Sequence, residues 1–206
     1  MIRKPMIFAA TSDLSGKTRG KAFPADQLNK RRERGMGWVP TNVQITCFDT
    51  IPDGPFGALG DLLLVPDEST GFEVALPAGA GDARMMLGDV TELDGAPWAC
   101  CTRALLRSAI DRLDRVAGLS VTASFEHEFQ LARGPSGTGE AYGYQGFAPR
   151  AGLGEALCTV LRAAGVTPDT FMKESGPDQY EITVAPAPAL TAAAAAVLKR
   201  FGYEVP

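Results

Sequence analysis

The chain has 206 residues, of which 45% are hydrophobic and 21% charged, and its formal net charge is -4. This length and apolar content can build one large domain or two small ones around a buried core. Because a weakly acidic chain offers no broad basic field to phosphate backbones, the composition argues against nucleic acid as a partner.

The N-terminal segment shows no targeting pattern. Its apolar run is broken within a few residues, and no stretch of the chain reaches membrane-spanning length, so we expect a cytoplasmic protein with no membrane partner. The four cysteines and the single histidine lack the spacing of a structural zinc site. The adjacent Cys100 and Cys101 begin a predicted helix, where we expect them to pack.

Residues 1–95 are predicted to form a small β-rich domain with one charged helix at residues 27–34. Residues 16–21 resemble a phosphate-binding P-loop, but the glycine spacing is one residue short and Ala22 replaces the required Ser or Thr. We therefore exclude that motif. The predicted strands are short apolar runs between turn residues, at residues 6–8, 43–45, 62–65 and 72–76.

A helix is predicted from Pro97 to Gly118, because proline fits the first turn of a helix and glycine its end. This places a domain boundary near Gly95 and a second domain at residues 96–206. Its apolar positions recur at helical spacing: Leu106, Ile110, Leu113 and either Val116 or Ala117.

Strict alternation of polar and apolar residues from Ser120 predicts a strand with two glutamates on its polar face. Glu126 and Glu128 are two residues apart, so their carboxylates point the same way, about 7 Å apart at the backbone. Two like charges this close need a cation or a shared proton, unless both simply face solvent. His127 falls on the apolar face, where we expect a core residue and not a ligand.

A second acidic stretch places Glu174 and Glu181 on either side of a Ser-Gly-Pro-Asp-Gln-Tyr turn. With the first pair, they would offer an all-oxygen site suited to Mg²⁺ or Mn²⁺. The alternative is that Glu174 merely precedes the turn and Glu181 faces solvent. The other elements predicted in this half are a turn-rich loop at residues 134–139 and helices at residues 153–165 and 189–201.

Five motifs in order resemble the glutamine synthetase family over residues 5 to about 192. Residues 126–129, Glu-His-Glu-Phe, resemble its E-x-E-F strand, and residues 174–182 resemble its E-x-G-P-G-Q-x-E-I segment. The likeness is closest to the branch that ligates glutamate to ammonia, polyamines or other amines. The remaining motifs lie at residues 13–21, 60–70 and 97–103.

The resemblance implies an α+β fold, with an N-terminal β-grasp domain followed by an incomplete glutamine synthetase-type catalytic domain built on an antiparallel sheet. In the family such a sheet holds two divalent metals. By resemblance, Glu128, Glu174 and Glu181 would hold the metal that positions glutamate. Glu126 would contribute to the metal near the ATP phosphates.

The resemblance also implies a catalytic aspartate that acts across a subunit interface to bind and deprotonate ammonium. Asp49 is our candidate for this residue and Asp53 is the second choice. Because the family forms rings of subunits, a homo-oligomer is implied. In such enzymes ATP phosphorylates the γ-carboxylate of glutamate, and ammonia or another amine then displaces the phosphate.

The sequence departs from the family in two ways. Thr102 replaces a usual proline, and Asp178 replaces a usual glycine in the turn between two proposed ligands. The family also continues with a histidine-containing metal motif, arginines and a last metal-binding glutamate. We therefore expect a truncated or partial gene product that is inactive alone. The alternatives are a non-catalytic metal-binding or assembly module of the same descent and an unrelated metal-dependent hydrolase.

Overall fold

The computed structural model describes residues 5–57, 59–75, 82–131 and 141–204. They fall into two compact units, Met1–Ser120 and Val121–Pro206. The loop predicted at residues 134–139 lies outside the described residues. No helix within the described ranges is long and apolar enough to cross a membrane.

The first unit is built on a six-stranded mixed sheet with the order β2-β1-β6-β4-β3, in which β5 also pairs with β6. Strands β1 and β6 run parallel, and the other pairs are antiparallel. The strands are β1 (Met6–Ser12), β2 (Thr18–Pro24), β3 (Met36–Trp38), β4 (Leu62–Pro66), β5 (Phe72–Ala75) and β6 (Asp82–Thr91).

Apolar side chains from alternate strand positions form the core of this unit, where Ala9 and Leu64 are fully buried. The predicted charged helix is present as α1 (Leu28–Arg34), with no residue buried. The strand predicted at residues 43–45 is wrong. A 3₁₀ helix, Pro40–Gln44, occupies most of this run, and it buries Val43 without pairing it in a sheet.

Helix α2 (Thr102–Ala117) belongs to the first unit, whereas the sequence placed a domain boundary before it. The helix begins later than predicted because Trp98 and Cys101 form a buried turn, in which Cys101 N donates to the Trp98 carbonyl over 2.9 Å. It ends as predicted at Gly118, whose φ of 63° is the left-handed conformation that glycine adopts readily.

The second unit contains an antiparallel sheet with the order β8-β10-β9. Helix α4 packs on this sheet through Leu157 and Leu161, which share a core with Ile182. The α+β class is therefore confirmed, while the β-grasp description stays a prediction. The strands are β7 (Thr122–Ala123), β8 (Glu126–Gln130), β9 (Pro168–Lys173), β10 (Gln179–Val184) and β11 (Ala187–Pro188), and the helices are α3 (Tyr144–Phe147), α4 (Ala151–Ala163) and α5 (Ala189–Glu204).

Candidate metal centre

Three of the four predicted metal ligands lie on adjacent strands of the second unit. Glu181 on β10 is paired directly with Glu128 on β8, and Thr183 is paired with Glu126. Directly opposite residues of an antiparallel pair share a face of the sheet, as do residues two apart on one strand. Glu126, Glu128 and Glu181 therefore point to the same side, as the alternation predicted for the first two. His127 is half-buried on the opposite side, paired with the fully buried Ile182.

The fourth predicted ligand, Glu174, lies at the start of the turn that joins β9 to β10. Its backbone N–H donates to the Gln179 carbonyl over 2.8 Å, and Gln179 N donates to the Gly176 carbonyl over 3.2 Å. Asp178 takes a φ of 46°, so it adopts the left-handed conformation in which the family has glycine. The hydrogen bonds of the turn therefore form with aspartate at this position. The Arg150 guanidinium lies 3.8 Å from the Asp178 carboxylate.

A buried lysine stabilises this turn from the inside. Lys173 is only 3% exposed, and its ammonium donates to the carbonyls of Gly176, over 2.7 Å, and Glu174. It also lies 5.8 Å from the centre of the Tyr180 ring. Lys173 was not among the residues predicted from the sequence, although its position two residues after Phe171 puts it on the buried face of β9.

Glu174 and Glu181 form the most unusual contact of the site. They are 8% and 7% exposed, and their carboxyl groups lie within hydrogen-bonding reach of each other. Burial, followed by repulsion from Glu126, Glu174 and Glu128, raises the pKa of Glu181. Two carboxylates in this arrangement require a proton or a cation between them.

Glu174 also accepts two hydrogen bonds from neutral donors. The Tyr142 hydroxyl donates to Oε1 over 2.7 Å, and Ser175 N donates to Oε2 over 3.2 Å. The hydrogen bond from Tyr142 is the main cause that lowers the pKa of Glu174, whereas the pKa of Glu181 is raised, and a proton held between them belongs to the pair. Tyr142 is a second residue that the sequence analysis missed, because no periodic pattern marks it.

The four carboxylates lie near one another, but they are not arranged around one point as the ligands of a single metal ion would be. Over the described ranges, no three His, Cys, Asp or Glu side chains are arranged to hold one metal ion. Glu128 is exposed, and the Gln179 amide donates to its Oε2 over 2.6 Å. The metal-binding role of the four glutamates therefore stays a prediction. Their donor set consists of carboxylate oxygens, which suits Mg²⁺ or Mn²⁺.

An open cavity of about 540 Å³ adjoins these carboxylates. Three acidic residues line it, Glu126, Asp169 and Glu181, together with Tyr142 and Thr183. A cavity of this size can hold a small ligand beside a bound cation.

Asp49, the predicted catalytic residue, lies in an exposed loop of the first unit with a φ of 59°. Its carboxylate pairs with Arg19 Nη1 over 2.5 Å and with Lys17 Nζ over 3.2 Å. These two cations lower its pKa, mainly through the hydrogen bond from Arg19. Arg19 also pairs with the buried Asp13 over 2.7 Å. Asp53, the second choice, is exposed in the same region.

Residues 4–98 match the family model described as the glutamine synthetase N-terminal domain. A solved structure described as a novel glutamine synthase homolog is 37% identical, with a TM-score of 0.88, and the match covers 98% of this chain and 48% of that one. The part of this chain that matches includes residues of both compact units.

Two curated relatives are similar over most of this chain. The gamma-glutamylpolyamine synthetase GlnA3 of Streptomyces coelicolor is 28% identical over 204 residues, covering 94% of this chain and 43% of that protein. A glutamate–isopropylamine ligase of Pseudomonas sp. is 26% identical over 220 residues, covering 93% of this chain and 46% of that protein. The chain thus spans less than half the length of these relatives.

Proposed function

The chain belongs to the glutamine synthetase family and matches its N-terminal portion, and we propose that it forms part of an ATP-dependent ligase. The reaction would join the γ-carboxylate of glutamate to ammonia or another amine, with γ-glutamyl phosphate as the activated intermediate. The relatives named for a polyamine and for isopropylamine support an amine as the acceptor.

The observation that carries this proposal is the contact between the carboxyl groups of Glu174 and Glu181. The two residues are 8% and 7% exposed, and Glu128 lies directly across the strand pair from Glu181. Burying like charges in contact is unfavourable unless a positive charge or a proton compensates them. A divalent cation would compensate all three carboxylates at once.

Each glutamate has a defined role in this proposal. Glu128, Glu174 and Glu181 would hold the cation that positions glutamate, and Glu126 would contribute to a cation beside the ATP phosphates. A bound Mg²⁺ or Mn²⁺ would supply charge neutralisation to the transferring phosphoryl group.

The neutral hydrogen-bond donors around the site would weaken metal binding. Gln179 donates to Glu128, and Tyr142 donates to Glu174, so each donor competes with a cation for a carboxylate oxygen. Because the described side chains form no ready-made group of three ligands, we expect weak binding that requires small side-chain rotations.

The first unit would contribute to the assembly of subunits and to the binding of ammonium. We propose that it is the β-grasp domain of the family and that Asp49 approaches the amine site of a neighbouring subunit in a homo-oligomer. Its side chain is 63% exposed and its pKa is lowered, which supports an ionised carboxylate, and an ammonium ion would have to displace Lys17 or Arg19 from it.

A non-catalytic metal-binding or assembly module is the second candidate. The two candidates share the metal site and differ in whether any γ-glutamyl transfer follows.

Thermal unfolding with and without millimolar Mn²⁺ tests the metal site. A ligand that binds only the folded state raises the melting temperature, so we expect Mn²⁺ to stabilise the second unit. The Glu128→Gln, Glu174→Gln double variant should lose this response. Glu155→Gln, an exposed glutamate on α4, is the matched control and should keep it. An equal response in the double variant would refute the proposed site.

A further inference from the structure

The Arg19 guanidinium connects three groups of the first unit that lie apart in the sequence. Its Nε donates to Asp13 Oδ2 over 2.7 Å, its Nη1 to Asp49 Oδ1 over 2.5 Å, and its Nη2 to the Thr46 carbonyl over 3.2 Å. Because the donors of a guanidinium lie in one rigid plane, the three bonds fix their acceptors relative to one another. Arg19 therefore joins strand β2 to the loop that contains Asp49.

Asp13 holds Arg19 from the buried side. The Asp13 side chain is 1% exposed, and its Oδ1 accepts hydrogen bonds from Lys17 N over 2.8 Å and from Ser15 Oγ over 2.7 Å. These bonds fix the carboxylate at the turn between β1 and β2, and its Oδ2 accepts from Arg19. A buried carboxylate is strongly unfavourable without its cation, so Arg19 is retained in this orientation.

The loop at residues 46–50 has a conformation that needs support from outside the loop. Thr46 N donates to the Thr50 carbonyl over 2.9 Å, and Asp49 N donates to the Thr46 carbonyl over 3.0 Å. Asp49 takes a φ of 59°, which is costly for a residue other than glycine and persists only where surrounding contacts impose it. The bonds from Arg19 to Asp49 and to the Thr46 carbonyl are contacts of this kind.

Lys17 makes the weaker of the two contacts with the Asp49 carboxylate. Its Nζ lies 3.2 Å from Oδ2, and its side chain is 32% exposed, against 20% for Arg19. An ammonium on a flexible stem is strongly hydrated, so it exchanges more readily than a guanidinium held by three acceptors. Oδ2 is therefore the oxygen at which another ammonium ion could replace Lys17.

We propose that Arg19, held by Asp13, is a positioning residue that fixes the 46–50 loop and one carboxylate oxygen of Asp49. The other oxygen is left to an exchangeable ammonium, a place that Lys17 occupies in this structure. The inference rests on the proposed function, in which Asp49 receives the ammonium ion or amine. Arg19 would act through Asp49 and would not touch the reacting atoms.

Hydrogen exchange of the Asp49 amide, measured by NMR on the full chain, tests the positioning. Arg19→Met should accelerate this exchange about tenfold, because the loop loses two hydrogen bonds. Arg19→Lys should accelerate it nearly as much, since an ammonium keeps the charge but cannot bond all three acceptors in the same geometry. Lys17→Met should change it less than about threefold. Arg34→Met, at an exposed arginine of α1, is the matched control and should leave it unchanged.

The Asp49 carboxylate provides a second readout, which a purely structural role of Arg19 would not move. The ¹³Cγ signal of Asp49 follows its ionisation, and its pKa is lowered mainly by the hydrogen bond from Arg19 and then by that from Lys17. We expect this pKa to rise more in Arg19→Met than in Lys17→Met. An equal or larger rise in Lys17→Met overturns the proposal, as does parent-like amide exchange in Arg19→Met or Arg19→Lys.

Asp13→Asn tests the buried end of the contact. We expect it to accelerate exchange of the Asp49 amide, because Arg19 loses the carboxylate that holds it. Ser15→Ala removes another hydrogen bond of Asp13 in the same turn and should leave that exchange unchanged. If Asp13→Asn folds and exchanges like the parent chain, the role of Asp13 is refuted. If it does not fold, the Arg19 variants still decide the proposal.

Stabilisation by Mn²⁺, measured on the same proteins, separates this inference from the proposed metal site. If Mn²⁺ stabilises the chain and the Arg19 variants leave Asp49 unchanged, the positioning role is refuted alone. If Asp49 responds as described and Mn²⁺ has no effect, the positioning role is supported and the metal site is refuted.

Discussion

The Gln179 side chain connects the β9–β10 turn to Glu128 on the neighbouring strand. Its Nε2 donates to Glu128 Oε2 over 2.6 Å, while its Oε1 accepts a hydrogen bond from Gly176 N over 2.8 Å. One amide thereby fixes the turn and orients a proposed metal ligand. The glutamine of the E-x-G-P-D-Q-x-E segment consequently has a structural explanation that does not require bound metal.

Replacement of Gln179 by alanine should destabilise the second unit. The variant loses two hydrogen bonds, one of them to a charged group, so we expect the free energy of unfolding to fall by about 1–3 kcal/mol. Urea unfolding followed by circular dichroism measures the change. Gln145→Ala removes an exposed glutamine on α3 and is the control. Equal unfolding midpoints for the two variants would contradict this explanation.

Replacement of Lys173 by methionine should also destabilise the second unit, because it leaves the Glu174 and Gly176 carbonyls without their shared donor. We expect a loss of about 2–4 kcal/mol in the free energy of unfolding. Both tryptophans lie in the first unit, so amide hydrogen exchange in β9 and β10 is the appropriate measurement. Lys30→Met, on the exposed face of α1, should leave that exchange unchanged.

The left-handed conformation of Asp178 predicts effects of different size for two substitutions. Asp178→Gly removes the steric cost at φ 46° but adds freedom to the unfolded chain, so the free energy of unfolding should change by less than about 1 kcal/mol. Asp178→Val should lose about 1–3 kcal/mol, because a β-branched residue is strained in this conformation. Similar stability of the two variants would mean that the turn has another conformation in solution.

The stability that helix α2 gains from Arg103 should depend on the ionisation of Asp67. Arg103 pairs with Asp67 over 2.8 Å and with Asp89 over 3.2 Å. Burial alone would raise the pKa of Asp67, but the hydrogen bond and charge of Arg103, with help from Ser69, lower it below its ordinary value. A lowered folded-state pKa contributes stability above the unfolded pKa, and that stability is lost as the pH falls through the folded value.

Arg103→Met should therefore destabilise the first unit by about 1–3 kcal/mol at pH 7, and by clearly less at acid pH, below the lowered pKa of Asp67, where that carboxyl is protonated. Tryptophan fluorescence during urea unfolding reports on this unit. Arg112→Met, on the exposed side of α2, is the control. If the free energy of unfolding lost in Arg103→Met is the same at both pH values, Arg103 stabilises the unit through packing and not through its charge.

The 206-residue chain alone should release no phosphate from ATP in the presence of glutamate and an amine. The described lining of the acidic cavity contains three carboxylates and no cationic side chain, and the loss of one cationic group from a phosphoryl-transfer site costs on the order of 10³-fold in rate. Amine-dependent phosphate release is the assay, and Glu128→Gln is the control. Turnover that the control abolishes would show that the chain completes its own site.

Period-2 alternation was sufficient to place Glu126 and Glu128 on one face and His127 on the other, because side-chain direction in a strand follows from local geometry. The pairing of Glu181 with Glu128 depends on the register of non-adjacent strands, which alternation does not specify. Lys173 and Tyr142 were missed because their roles come from contacts made on folding. Residues 43–45 were misassigned because a short apolar run fits a buried 3₁₀ turn as well as a strand.

Anomalous diffraction from crystals of the full chain grown with Mn²⁺ is the decisive test of the proposed metal centre. We expect a manganese peak within coordination distance, about 2.0–2.6 Å, of carboxylate oxygens from Glu128, Glu174 and Glu181. We also expect the Gln179 amide and the Tyr142 hydroxyl to give up their hydrogen bonds to these carboxylates where the ion replaces them. Manganese bound only at other carboxylates, with the Glu174–Glu181 contact unchanged, would contradict the proposed metal centre.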